Sequence, residues 1–254
     1  MSTVTYEDID RIRIIRLNRP DALNAFNSTL MAELASVLND TAANGTTNVA
    51  ILTGEGRAFS AGADLAAWGD KSGPANAFDL LLDAILDFPI PFIVAVNGLG
   101  VGIGATIVGL ADLTLMAESA RLKCPFSSLG VTAEAGSTIT FPALMGRQRA
   151  NWFLWAAEWM SARDCYDAGL CIELTSDDDL MTRALARAEV LAKLPTSSIR
   201  KTKSLMMEPI KDALRAQFTA ENKGLAELSG SPANREAIAA FIEKREPDFS
   251  GLSS

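Results

Sequence analysis

AFSAGADL, residues 58–65, and NGLGVGIGATIVG, residues 97–109, are the two stretches that decide the fold. Each runs from an apolar strand through glycine and other small residues into the start of a helix. The first amides of a helix have no intrahelical acceptor, and small residues let a ligand oxygen approach them. A chain that repeats this arrangement can direct two backbone N–H groups at one oxygen.

Both stretches also admit simpler interpretations. The first can be a tight turn in which Asp64 caps a helix. In the second, Gly100, Gly102 and Ala105 match part of the dinucleotide-binding fingerprint, and Glu118 lies somewhat short of the expected ribose-binding position. The glycine run overshoots that motif and comes after another α/β unit. These two features weaken the match, but an NAD(P)-binding oxidoreductase remains an alternative.

Outside the two stretches, the first half of the chain alternates strands with helices. We predict a hairpin within residues 4–17, a helix from Asn27 or Ser28 to near Gly45, a strand over 49–53, a helix starting at Asp64, a helix over 78–86, a strand over 92–96 and an apolar helix over 103–110. Arg11 and Arg13 are expected on the solvated face of the hairpin. This alternation predicts an α/β fold.

The second half of the chain is dominated by helical patterns. From Arg147 onward apolar residues recur at helical spacing, and prolines at 195, 209 and 232 punctuate the segments. Trp152, Trp155 and Trp159 fall three and four residues apart, which favours a stripe buried in the core. We therefore expect a helical lobe after the α/β part.

The composition narrows the chemistry. The 254 residues include no His, so a Ser-His-Asp or Cys-His couple and a His general base are excluded. A general acid or base must therefore be a carboxylate, Lys, Tyr or water. Cys124, Cys165 and Cys171 are odd in number and lack metal-ligand spacing, which favours structural thiols in a reducing compartment and predicts no metal site.

Charge and hydropathy restrict the partners. With 23 Lys plus Arg against 31 Asp plus Glu, the formal charge is −8, which argues against a nucleic-acid partner. The uncharged segment 88–111 has the length of a membrane helix, but prolines and glycines break it into a strand, a turn and a helix. No signal peptide or peroxisomal address is found at the ends. We expect a cytoplasmic protein without a membrane partner.

Four ordered strings together resemble the enoyl-CoA hydratase/isomerase (crotonase) superfamily across nearly the whole chain: LNRPDALNAFN, TGEGRAFSAGADL, VAVNGLGVGIGATIVGLADL and AIAAFIEKREPDF. The resemblance implies a spiral of ββα units over residues 1–195 and a helical trimerisation region over 196–254. It implies an acyl-CoA substrate, a homotrimer or a hexamer made of two trimers, and no cofactor other than the CoA of the substrate.

The resemblance also assigns roles to residues. It implies that the amides of Ala63 and Ile103 form an oxyanion hole for the thioester carbonyl. Further contacts with CoA or substrate are implied for Asp21, Ala22, Leu23, Arg57, Ala61, Gly62, Asp64, Leu65, Gly102, Phe126 and Lys244, with Arg57 or Lys244 on the phosphates. Trp68, Phe78 and Leu82 are candidates for the acyl-pocket wall.

The acids distinguish branches of this superfamily. Where its hydratases carry two glutamates, this sequence has Thr106 and Phe126, and neither can activate a water. Glu134 lies in CPFSSLGVTAEAGST, which resembles the PFSxLGxxxEG segment of the peroxisomal-type Δ3,Δ2-enoyl-CoA isomerases. One carboxylate suffices to move a proton from C2 to C4 of a 3-enoyl thioester. Among apolar neighbours, its pKa is expected to be raised.

Other interpretations of Glu134 remain open. It can be a loop acid or a charge at a helix N-terminus, since Ser137 and Thr138 can begin a helix there. The protein can then be a hydratase or another acyl-CoA enzyme with relocated acids. If Glu134 points away from the thioester, it can also be a CoA-binding protein without catalysis.

Overall fold

The computed structural model describes residues 2–64 and 73–252, and their strands and helices follow the predicted alternation. In chain order they are β1 (Val4–Ile9), β2 (Ile12–Leu17), α1 (Ser28–Ala43), β3 (Val49–Gly54), β4 (Ala58–Ser60), α2 (Ala77–Leu86), β5 (Phe92–Val96), β6 (Leu99–Val101), α3 (Ile103–Thr106), β7 (Leu113–Ala117), β8 (Arg121–Lys123), α4 (Ser137–Met145), α5 (Arg147–Trp155), β9 (Trp159–Ser161), α6 (Ala162–Ala168), β10 (Glu173–Thr175), α7 (Leu180–Ala192), α8 (Thr196–Leu228) and α9 (Pro232–Glu243).

These strands form two sheets. The larger has the order β1-β2-β3-β5-β7-β10, and the smaller has the order β4-β6-β8-β9. From β3 to β8, consecutive strands go to alternate sheets, so each turn of the chain adds one strand to each. The strands of the larger sheet from β2 to β7 pair in parallel, and β3 and β5 are buried along their whole length. This is the predicted spiral of ββα units.

The local sequence of helix α1 accounts for where the helix begins and which face it buries. The side chain of Asn27 accepts a hydrogen bond from the amide of Leu30 at 2.9 Å, which caps the helix at its N-terminus. Leu30, Leu34 and Leu38 recur on one face and are fully buried. The predicted start, period and end of this helix are confirmed.

The expectation for Arg13 is wrong. Its side chain is 7% exposed and makes two 2.7 Å hydrogen bonds to the carboxylate of Asp8, while its guanidinium lies 4.1 Å from the ring centroid of Tyr6. It also donates to Thr41 of α1. The reason is that α1 covers this face of β2. A buried guanidinium is stable only when it is paired with an acid and hydrogen-bonded, as Arg13 is. Arg11, at the hairpin turn, is exposed as expected.

The expectation for the tryptophans is also wrong. Trp152 and Trp155 lie on α5 with 65% and 67% of their surface exposed. Trp159 lies on β9, beyond the end of that helix, and the guanidinium of Arg121 is 4.1 Å from its ring centroid. Helical spacing predicted one buried stripe, but the chain leaves the helix before the third ring. The second half also contains the short strands β9 and β10.

The apolar segment 88–111 divides into the predicted strand and helix, but the predicted glycine turn between them contains the short strand β6. It contains β5, β6, α3 and a 3-10 helix over Ile107–Leu110, so the predicted helix over 103–110 changes type after its first turn. Within the described ranges, no helix is both long and apolar enough to cross a bilayer. The predicted helix from Asp64 falls largely on residues 65–72, which lie outside the described part.

Candidate active site

The two glycine-rich stretches end side by side. β4 and β6 are parallel neighbours, with Ala58 opposite Leu99 and Ser60 opposite Gly100, so both chains leave the small sheet at the same edge. Gly62 has a φ of +87°, and a Cβ on it would lie 2.7 Å from the carbonyl oxygen of Val101. A side chain at this position would force the loops apart.

The amide of Ala63 is directed by a single β-bridge. Phe26 donates to the carbonyl of Gly62 at 2.7 Å and accepts from the amide of Asp64 at 2.9 Å. In a parallel bridge of this kind the residue between those two groups directs its own N–H to the other side. For the Ala63 amide, no acceptor is recorded among residues 2–64 and 73–252.

Among the described residues, the amide of Ile103 lacks a backbone acceptor for a different reason. Ile103 is the first residue of α3, and the carbonyl of Gly102 accepts from the amides of Ala105 and Thr106 instead. In the described part of the chain no backbone acceptor is recorded for Ile103. A Cβ on Gly102 would lie 3.9 Å from the Cα of Gly62, so the loops carrying both amides touch. The predicted pair of donors comes from adjacent loops.

Glu134 faces this junction. Its Oε1 lies 3.6 Å from the position that a Cβ on Gly102 would occupy. The side chain is half-buried and has no hydrogen-bond or ion-pair partner recorded in the described part of the chain. Burial, and secondarily the negative charge of Glu221, raises the pKa of Glu134 from 4.5 to about 7. A carboxyl with this pKa can accept a proton and return it at neutral pH.

The segment predicted to contact CoA is fastened to the first glycine loop. Leu23 follows a 3-10 helix over Pro20–Ala22 and accepts the amide of Ala61 at 2.9 Å. Sequence reasoning missed Asn24, which is fully buried. Its side-chain amide donates to the carbonyls of Glu55 and Ala58, and its own carbonyl accepts from the hydroxyl of Ser60. The signal that could have identified Asn24 was its place within the string LNRPDALNAFN.

Other predicted contacts are placed as follows. Asp64 pairs with Arg19 at 2.8 Å. Arg57 is exposed in the turn before β4, and its carbonyl lies against Gly98. Lys244 ends α9, and within the described ranges no contact joins it to the glycine loops. Leu65 and Trp68 lie outside the described residues.

The two hydratase positions are occupied by core residues. Thr106 is fully buried and its hydroxyl has no hydrogen-bond partner in the described part, while Phe126 is 5% exposed. Of the candidates for the acyl-pocket wall, Leu82 is buried and Phe78 packs against the core. The site thus combines two amides and Glu134, with no carboxylate from either hydratase position.

This fold is that of a crotonase-type acyl-CoA enzyme. The chain belongs to the enoyl-CoA hydratase/isomerase family, whose model matches residues 8–252. A crystal structure of an enoyl-CoA hydratase/isomerase from Pseudoalteromonas atlantica T6c superposes with a TM-score of 0.93 at 33% identity, covering 98% of this chain and 100% of that one. The crotonase fold leaves no support for the dinucleotide alternative.

Two curated relatives carry different activities in their names. A probable enoyl-CoA hydratase of Rhodobacter capsulatus is 34% identical over 98% of both chains. Enoyl-CoA delta isomerase 2 of Rattus norvegicus is 31% identical over 91% of this chain and 61% of its own length. Overall similarity therefore shows the family, and the choice of reaction depends on the acids at the site.

The raised pKa of Glu134 predicts a pH-dependent stability. The folded protein holds this proton up to about pH 7 and the unfolded chain only to about 4.5, so the contribution to the free energy of unfolding is complete below 4.5 and is lost as the pH rises through 7. Relative to Glu134→Gln, the wild type should lose at most about 3 kcal/mol between pH 4.5 and 8.

Urea unfolding of both proteins at several pH values measures this difference. The wild type should become less stable relative to the variant as the pH rises, because only the wild type must bury a charge at high pH. A stability difference that stays constant from pH 4.5 to 8 would contradict the raised pKa.

Proposed function

We propose that the protein is an enoyl-CoA isomerase that converts 3-enoyl-CoA to trans-2-enoyl-CoA. One observation carries the proposal: Glu134 faces the junction of the two glycine loops, while Thr106 and Phe126 occupy the hydratase positions. The only other carboxylate recorded as acting on Glu134 in the described residues belongs to Glu221, which is engaged with backbone amides. A reaction that needs a single proton carrier fits this site.

The proposed reaction consists of two proton transfers by one carboxyl group. The thioester carbonyl oxygen accepts hydrogen bonds from the amides of Ala63 and Ile103. Glu134 removes a proton from C2. The electron pair of the broken C–H bond forms a C1–C2 double bond as the carbonyl π electrons move to the thioester oxygen, which gives a dienolate. The negative charge of the dienolate rests on the thioester oxygen. Protonated Glu134 then donates to C4, where the C3–C4 π electrons bond the proton. The C1–C2 π electrons form the C2–C3 double bond as the oxygen re-forms the carbonyl, so the reaction balances without a redox or metal cofactor.

Two substrates separate isomerisation from hydration. The purified protein should convert 3-enoyl-CoA to the conjugated thioester, seen as rising ultraviolet absorbance. It should not hydrate 2-enoyl-CoA. The alternative is a hydratase whose catalytic acids lie at other positions, and the name of the Rhodobacter capsulatus relative, a probable enoyl-CoA hydratase, supports it. Fast hydration of 2-enoyl-CoA without isomerisation of 3-enoyl-CoA would overturn the proposal and support that alternative.

We also propose that the chain forms a homotrimer or a dimer of trimers, with residues 196–254 as the main assembly region. Large apolar side chains remain exposed on this segment and on α5, and association would cover them. They include Trp152, Trp155, Leu205, Met206, Phe241 and Ile242. Light scattering coupled to size-exclusion chromatography should give three or six times the 27.0 kDa chain mass, and a monomer would contradict this.

A further inference from the structure

The turn that carries Glu134 is held from a helix far away in sequence. After Glu134, Ala135 and Gly136 both adopt left-handed conformations, with φ of +57° and +70°. Gly136 precedes α4 and provides no side-chain cap for it. The first amides of α4 therefore need an acceptor from elsewhere.

Glu221 on α8 supplies that acceptor. Its carboxylate is 4% exposed and accepts from the amide of Gly136 at 2.6 Å and from the amide of Thr138 at 3.2 Å. The hydroxyl of Thr138 also donates to it, and Gln217 donates to that hydroxyl at 2.8 Å. A carboxylate at a helix N-terminus is favourably placed. Glu221 thus caps α4 from another element.

The packing around this contact allows little movement. A Cβ on Gly136 would lie 2.7 Å from a ring carbon of Phe218 and 3.1 Å from a methyl carbon of Leu214. Leu214, Phe218 and Glu221 are the buried residues of α8. On the other side, the carbonyl of Glu134 accepts from both the amide and the hydroxyl of Ser137. The backbone of Glu134 is fixed from both directions.

We propose that Glu221 is a positioning residue that holds the Glu134 turn and places a negative charge beside the Glu134 carboxyl. The inference deepens the proposed isomerase function and rests on it for the catalytic part. Glu221 acts without touching the substrate. It acts by orienting Glu134 toward the glycine loops and by favouring its protonated form.

Few charged groups compete with this effect. The Cys124 thiol, which follows β8, interacts electrostatically with Glu134, but burial raises its pKa well above the usual value, so it is neutral near pH 7. The segments 103–106 and 137–145 contain no titratable side chain. The amino group of Lys123 instead lies 5.7 Å from the ring centroid of Trp159. Among the described residues, Glu221 is the charged group that acts on Glu134.

The test compares Glu221→Gln with Glu208→Gln, an exposed substitution of the same type on the same helix. Carbon-13 NMR titration of labelled glutamate carboxyls, assigned with Glu134→Gln, reports the pKa of Glu134 without turnover. In Glu221→Gln this pKa should fall below its value of about 7, because the like charge is gone. In Glu208→Gln it should stay unchanged.

The pH profile of kcat/KM gives a second readout, because it reports the pKa of the free enzyme. The acid limb for 3-enoyl-CoA should move to lower pH in Glu221→Gln by the same amount as the NMR value, because Glu134 must be ionised to act as the base. Glu221→Asp, which keeps the charge, should keep the pKa raised. An unchanged Glu134 pKa in folded Glu221→Gln would overturn the inference. Failure of the wild type to isomerise would instead reject the proposed function, and the titration would still decide the role of Glu221.

A second variant covers the case in which Glu221→Gln does not fold. Thr138→Val removes one hydrogen bond to Glu221 and leaves the charge in place. We expect kcat to fall about tenfold with KM unchanged, because a loosened turn misplaces the carboxyl. A Thr138→Val enzyme with the kcat of the wild type would show that the contact does not position Glu134.

Discussion

Replacing Glu134 by Gln should lower kcat for 3-enoyl-CoA isomerisation by about 10²–10⁴-fold, the range for loss of a general acid–base group. The amide has nearly the same shape but can neither remove the C2 proton nor return it to C4. In the described part of the chain, the Glu134 side chain makes no recorded hydrogen bond that the change would break, and its carbonyl keeps the contact with Ser137. CoA affinity should therefore be unchanged.

Glu118→Gln is the matched control. Glu118 is an exposed acid after β7 and was the candidate ribose ligand in the dinucleotide interpretation. Its replacement should leave kcat and KM at wild-type values. Steady-state kinetics of the two variants measure the contrast, and a Glu134→Gln enzyme within a few-fold of the wild type would move the base to another residue.

Replacing Ile103 by Pro should lower kcat by about 10²–10³-fold, the effect of deleting one oxyanion donor. Proline has no N–H, and Ile103 stands at the first position of α3, where proline is well tolerated because this amide has no intrahelical acceptor. The substitution therefore removes a catalytic donor from the backbone while the helix can still form.

The control for this change is Ile103→Val. The side chain at this position is 1% exposed, so either substitution leaves some core volume unfilled, and Ile→Val costs about 0.5–1.5 kcal/mol of stability. Valine keeps the N–H and should keep nearly full kcat. Equal kcat values for the proline and valine variants, both shown to be folded by circular dichroism, would remove Ile103 from the oxyanion hole.

The parts of the structure predicted correctly are those that local sequence determines. The cap of α1 at Asn27 lies next to the residues it satisfies. The glycine loops were recognisable because Gly62 and Gly102 need positive φ and close backbone approach, which few other residues allow. The resemblance implied roles for the two amides and for Glu134; these roles stay predictions, and the structure places the three groups around the same junction.

The parts predicted wrongly or missed depend on distant elements. Arg13 is buried because α1 lies over β2, and Trp159 leaves the helical stripe because a strand pairs with β8. Glu221 contacts Gly136 across 85 positions of sequence. In the sequence it is one polar residue within a long helix, and only the packing of α8 against α4 shows its contact with the Glu134 turn.

The most direct test of the account follows a label through one turnover. A 3-enoyl-CoA deuterated at C2 is mixed with excess enzyme, and the product is analysed by mass spectrometry and NMR. Because the carboxyl that removes the C2 hydrogen also protonates C4, the conjugated 2-enoyl-CoA should carry deuterium at C4, and Glu134→Gln should form almost none of this product. Product that forms without any deuterium at C4, or that forms as fast in Glu134→Gln, would contradict a single-carboxylate isomerase.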